Sequence, residues 1–173
     1  MKPVTVSILK NELRQHSQQE LIDICLQMVK FKKVNKELLS YILFDSKDEE
    51  EYKRAIKEEI DDSFSNFNKE RLYFVVKSSR KTLRLAKKYI RYSKKKTTEA
   101  EVLLYFCSKL KQLMATHKTS QQLINIYQRQ LDVVRKATLS LHEDLQFDYN
   151  NEIEDLEKSK NIFFPLNIEY KKV

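Results

Sequence analysis

Residues 69 to 93 read KERLYFVVKSSRKTLRLAKKYIRYS, and the spacing of their apolar members decides the fold class. Leu72, Val76, Ser79, Leu83, Ala86 and Ile90 alternate steps of four and three. At about 100° per residue those positions stay within one stripe, so the segment is an amphipathic helix with a single core-facing side. The run Val102-Leu103-Leu104-Tyr105-Phe106-Cys107 is instead apolar all round for nearly two turns, as a helix enclosed by others must be.

The rest of the 173 residues follows the same grammar. There is no glycine, and the only prolines are Pro3 and Pro165, so the usual helix breakers are missing between them. Without glycine the chain lacks P-loops, dinucleotide-binding fingerprints, nucleophile elbows and most two-residue β-hairpins, which removes several large enzyme classes together.

Ser or Thr followed three residues later by Glu or Gln, the sequence form of a capping box, occurs at Ser17/Glu20, Ser46/Glu49, Thr98/Glu101 and Thr119/Gln122. Apolar periodicity and these starts predict helices near 5–15, 18–31, 35–45, 47–66, 69–93, 99–116, 120–146 and 150–160. The seventh carries Leu123, Tyr127, Val134, Thr138, Leu141 and Leu145 on one face. Connections of a few residues make neighbours antiparallel. The expected fold is all-α: an antiparallel helical bundle or short HEAT-like stack of seven to eight helices, one domain over residues 1–160, with an extended tail at 161–173. Leu103, Leu104, Phe106, Leu83, Ile90, Leu39, Ile42 and Met28 are expected in the core.

Val29 to Lys33 followed by Glu37 to Tyr41 resembles Ile90 to Lys94 followed by Glu101 to Tyr105, which is either a duplicated three-helix unit or a coincidence between two amphipathic hairpins. The segments Phe31 to Asp45 and Tyr89 to Cys107 resemble a family of bacterial all-helical proteins of unknown function. That resemblance is confined to those two segments, brings no catalytic motif, and implies the helical fold alone.

Charge is distributed unevenly behind a formal net of +8. Residues 47 to 67 hold eight acids against four bases, whereas residues 68 to 96 hold twelve bases against Glu70. Lys77, Lys81, Arg84, Lys88, Arg91 and Lys95 recur at four and three residues, forming a basic ridge opposite the Leu72-to-Ile90 stripe. Such a ridge is ordinarily a solvated face, partly neutralised by the acidic helix before it. It could equally contact an anionic protein or track a phosphate backbone, with Tyr89 and Tyr92 near enough to stack on bases. No helix-turn-helix, zinc-finger or RNA-recognition sequence accompanies it.

Other chemistry is thinly represented. His16, His117 and His142 are far apart, and His142-Glu143-Asp144 cannot share one ion, because consecutive helical residues point about 100° apart. Glu58 and Asp62 sit in a Lys/Glu-rich pattern where helical salt bridges are the ordinary explanation. Cys25 and Cys107, each in an apolar run, read as buried free thiols. Neither a metal nor a cofactor is expected.

No stretch approaches the roughly 18 apolar residues of a membrane span, so a cytoplasmic protein without a membrane role is expected. The tail Ile162-Phe163-Phe164-Pro165-Leu166 is expected to dock in its own domain or on a partner or second copy. The sequence therefore points to a non-catalytic interaction or scaffold module, with sequence-independent nucleic-acid binding through helix 69–93 as the alternative.

Overall fold

A computed structural model describes residues 2–117 and 119–158, and among them every regular element is helical. The protein is all-α, as the periodicity required. Contacts divide the chain at the Lys47–Asp48 step into two compact units, where the sequence suggested one domain over residues 1–160. The expected tail at 161–173 lies outside the described residues.

The first unit contains α1 (Val6–Leu13), α2 (Gln18–Phe31), α3 (Lys33–Leu43) and a closing 3₁₀ turn, Asp45–Lys47. Ser17 starts α2 with a complete capping box: the Glu20 N–H donates to Ser17 Oγ at 3.3 Å, and the Ser17 N–H donates to Glu20 Oε2 at 2.7 Å. One extended residue, Lys32, separates α2 from α3, which pack together, and the Asn35 side chain ties the corner by donating to the Met28 carbonyl at 2.8 Å. Among the described residues of this unit only Tyr41 is buried. Met28 and Ile42, expected in the core, are exposed, and Leu39 is half-buried. Cys25 is an exposed thiol, against the expectation of a buried one. A helical period marks an apolar stripe, but burial also needs an enclosing layer, and three short helices provide little of one.

The second unit contains α4 (Glu49–Ser65), α5 (Leu72–Ser93), α6 (Lys96–Thr116), α7 (Gln121–Thr138) and α8 (Glu143–Lys158). Helix α6 is central, as its all-round apolarity predicted: it packs on α4, α5, α7 and α8. Val102, Leu103, Leu104, Phe106, Cys107 and Leu110 are all buried along it. Each large side chain so enclosed contributes about 1.5 to 3 kcal/mol of transfer free energy. At the α4–α5 connection Phe67 stacks on Phe64 with centroids 4.7 Å apart, and Phe64 leans on Phe106 at 5.8 Å.

The reversal between α5 and α6 takes two residues. Lys94 adopts the left-handed region, φ 58° and ψ 4°, and its N–H donates to the Ile90 carbonyl at 2.9 Å. This is the position glycine usually fills at a helix end, and the chain has none to place there.

Helix α7 ends at Thr138 instead of running to 146, and α8 begins at Glu143. Side chains make the break: Gln146 Nε2 donates to the Leu141 carbonyl at 2.8 Å, Ser140 Oγ to the Ala137 carbonyl at 2.7 Å, and the Asp144 N–H to His142 Nδ1 at 3.4 Å. The His142-Glu143-Asp144 cluster is thereby the start of a helix.

Candidate anion-binding face on α5

The inward side of α5 is formed by Val75, Val76, Ser79, Thr82, Ala86 and Ile90, with Leu72 and Leu83 half-buried. The seam is thus turned slightly from the one read in the sequence. The buried hydroxyls of Ser79 and Thr82 are satisfied within the helix, donating to the Val75 and Ser78 carbonyls at 2.9 and 3.2 Å. Fixing this side against α4, α6 and α7 leaves the basic ridge facing outwards.

The six ridge residues separate into different environments. Lys95 lies beyond the end of α5 and pairs with Glu49 at 2.9 Å, so it does not continue the ridge. Lys88 is half-buried and sits 4.3 Å from the Tyr89 ring centroid. Lys81 lines a groove on the α4 side with Glu59 and Asp62 for company. Arg91 is exposed. Lys77 and Arg84 line a second, larger groove on the α7 side.

That second groove, about 620 Å³, is formed by Tyr73, Val76 and Leu83 together with Lys77, Arg80, Arg84, Lys87 and Gln122. The four cations at 77, 80, 84 and 87 follow steps of three, four and three, so they lie along one side of the helix. Among the described residues none of them forms an ion pair; Arg80 donates to Gln122 Oε1 at 3.4 Å. Sequence reasoning missed Arg80 and Lys87 because it followed the stripe diametrically opposite the core. The same three-four spacing was present for them, but only the position of α7 makes it the relevant one.

The acidic helix α4 does not neutralise this groove. Glu50 and Glu51 pair within α4 with Lys53 and Arg54, both at 2.6 Å. Glu49 is engaged by Lys95, by Thr98 Oγ1 at 2.6 Å and by the Ser93 hydroxyl. Asp61 meets Lys109 at 2.8 Å and accepts from Tyr105 at 2.6 Å. Burial draws the Asp61 carboxyl upwards, but the Lys109 ammonium and the Tyr105 hydroxyl outweigh it and leave its pKa below the ordinary value.

The aromatic residues also change places. Tyr92 is buried, and the Tyr89 hydroxyl donates to the Glu59 carboxylate at 2.8 and 3.0 Å while its ring meets Tyr52 edge-on. Both are thus engaged, whereas Tyr73, whose ring meets Phe74 in a T-shaped contact at 5.5 Å, is 68% exposed at the groove.

Elsewhere the polar clusters have structural partners. His16 lies 3.7 Å from Glu20, and His117 Nδ1 is 2.7 Å from Thr116 Oγ1. Cys107 is fully buried, and burial pushes its thiol pKa up. Among the described residues no group of three His, Cys, Asp or Glu is placed to hold a metal ion, and no helix is long and apolar enough to cross a membrane.

No family model, curated protein or solved structure matches the chain.

Proposed function

We propose that the protein is a non-catalytic helical interaction module that holds an anionic protein partner on the α5–α7 groove. One observation carries the reading: Lys77, Arg80, Arg84 and Lys87 gather around the apolar side chains of Tyr73, Val76 and Leu83, and among the described residues none of the four has an acidic partner. Like charges one helical turn apart repel, so an occupant bearing carboxylates relieves that repulsion and buries the apolar floor as well. The exposed thiol of Cys25 suits the reducing cytoplasm, where this reading places the chain.

Binding of a labelled Glu/Leu-rich peptide, followed by fluorescence anisotropy, tests the reading. Affinity is expected to weaken as salt rises from about 50 to 500 mM, over which range the Debye length contracts severalfold. Arg80→Glu with Arg84→Glu is expected to abolish binding, while Lys136→Glu, at an exposed cation on α7 outside the groove, leaves it intact. Failure of the wild-type chain to bind at low salt removes the reading.

A second reading, sequence-independent nucleic-acid binding, is favoured by exposed Tyr73 beside Lys77 and Arg80, since an aromatic face next to cations stacks bases of any sequence. Generic single-stranded RNA in the same assay decides it: this reading requires RNA to bind and Tyr73→Ala to weaken that binding.

A further inference from the structure

Helix α8 has two unlike sides. Tyr149 and Ile153 are buried, and the helix packs on α6 and α7. Asp144, Phe147, Asp148, Asn151 and Asp155 recur at helical spacing along another side, and all five are exposed, Phe147 at 69%. Helix α8 carries seven acids against Lys158 alone, in a chain whose overall balance is strongly basic.

This side complements the α5–α7 groove in three respects. Its charge is opposite: Asp144 and Asp148 flank Phe147, as Lys77, Arg80, Arg84 and Lys87 surround the groove. Its length matches, because at about 1.5 Å per residue both Asp144 to Asp155 and Lys77 to Lys87 span roughly 15 Å. Its anchor also fits: one exposed aromatic side chain faces a floor of Tyr73, Val76 and Leu83 in a groove of about 620 Å³. An amphipathic helix laid in an apolar groove, with charges along the rim, is a recurrent docking mode.

We propose that the chain associates with itself, the acidic outer side of α8 in one copy docking on the α5–α7 groove of the next, with Phe147 as anchor. This rests on the anion-binding reading of that groove and names a second copy as its occupant. The two surfaces are different patches, so the contact is heterologous, and an open assembly of any size retains one free groove at one end and one free α8 side at the other until a ring closes. Mass therefore grows with concentration and does not stop at a dimer imposed by a two-fold axis.

Sedimentation velocity on the full chain tests this, with circular dichroism confirming that each variant folds. The wild type is expected to gain mass with concentration up to about 1 mM, and to lose that gain at high salt. Arg80→Glu/Arg84→Glu and, separately, Asp144→Lys/Asp148→Lys are each expected to remain monomeric alone. Combining all four substitutions in one chain restores association, because the charges at the junction are exchanged rather than removed. Phe147→Ala is expected to weaken association about tenfold or more. A monomeric wild type, or failure of the four-substitution chain to associate, overturns the proposal. If the wild type is monomeric but still binds the acidic peptide through Arg80 and Arg84, self-association falls and the anion-binding reading stands; if it does neither, both fall.

Discussion

Lys53 of α4 is only 6% exposed, and its ammonium is held between Glu101 of α6 and Glu50 of its own helix. Lys57 Nζ reaches the other Glu101 oxygen at 2.5 Å, so one carboxylate closes two lysines against the central helix. Burial alone would push the Glu101 pKa up and the Lys53 pKa down, and their mutual hydrogen bonds outweigh it in both groups. Neutralising Glu101 removes the one carboxylate shared by both lysines and, among the described residues, leaves the buried Lys53 ammonium with Glu50 alone. Glu101→Gln is expected to cost about 3 kcal/mol of unfolding free energy, measured by urea denaturation at neutral pH. A cost below the range of exposed pairs would show that the lysines find water instead.

The same carboxylate sets an acid limit. Glu101 and Asp61 both titrate below their ordinary values in the folded chain, so each contributes stability that is fully present above the unfolded-state pKa. That contribution is lost as pH falls through the lowered folded-state pKa. The urea midpoint is therefore expected to fall as pH drops below about 4.5. Glu101→Gln, lower throughout, is expected to show a shallower fall, and an equally steep one would assign the acid sensitivity to other groups.

Lys94 is in the left-handed region with a β-carbon, which costs roughly 1 kcal/mol that glycine would not incur. Lys94→Gly is expected to raise stability by up to about 1 kcal/mol, the gain being reduced by the extra freedom glycine gives the unfolded chain. Lys94→Val is expected to lower it, as a β-branched side chain is least tolerant of that backbone. Paired thermal melts of the two variants measure the difference.

Thr138, at the end of α7, is 1% exposed, and its hydroxyl oxygen lacks a hydrogen-bond partner among the described residues. Valine has the same shape without the polar atom. Thr138→Val is expected to stabilise the protein by about 1 kcal/mol in the same melts. A loss of stability would show that the hydroxyl is hydrated.

The class of fold was legible because period and enclosure coincide at α6: residues apolar on every side are buried on every side. Starts of helices were less legible. Of the four capping boxes read in the sequence, Ser17 with Glu20 forms one. Asp48 caps α4 in place of Ser46, Ser120 caps α7 in place of Thr119, and Thr98 lies inside α6 with its hydroxyl donating to Glu49. The motif is local, whereas the choice among neighbouring oxygens depends on where the helix must start in order to pack. The break after Thr138 was hidden for a related reason: Leu141 and Leu145 continue the period, and the hydrogen bonds that interrupt it come from Gln146 and Ser140. At the site, the sequence contained every cation of α5, but which of them border one groove is decided by α7, which begins at Gln121, with the whole of α6 between it and the end of α5 at Ser93.

The unequal setting of the two cysteines makes the chain its own labelling reagent carrier. Cys25 meets solvent, while Cys107 is enclosed on α6 itself with its proton held tightly. A maleimide dye added to the native protein is expected to attach once, at Cys25, and a second equivalent to enter only in denaturant. Counting dye per chain by mass spectrometry would turn the burial of one sulfur atom into a direct clock for the opening of the central helix.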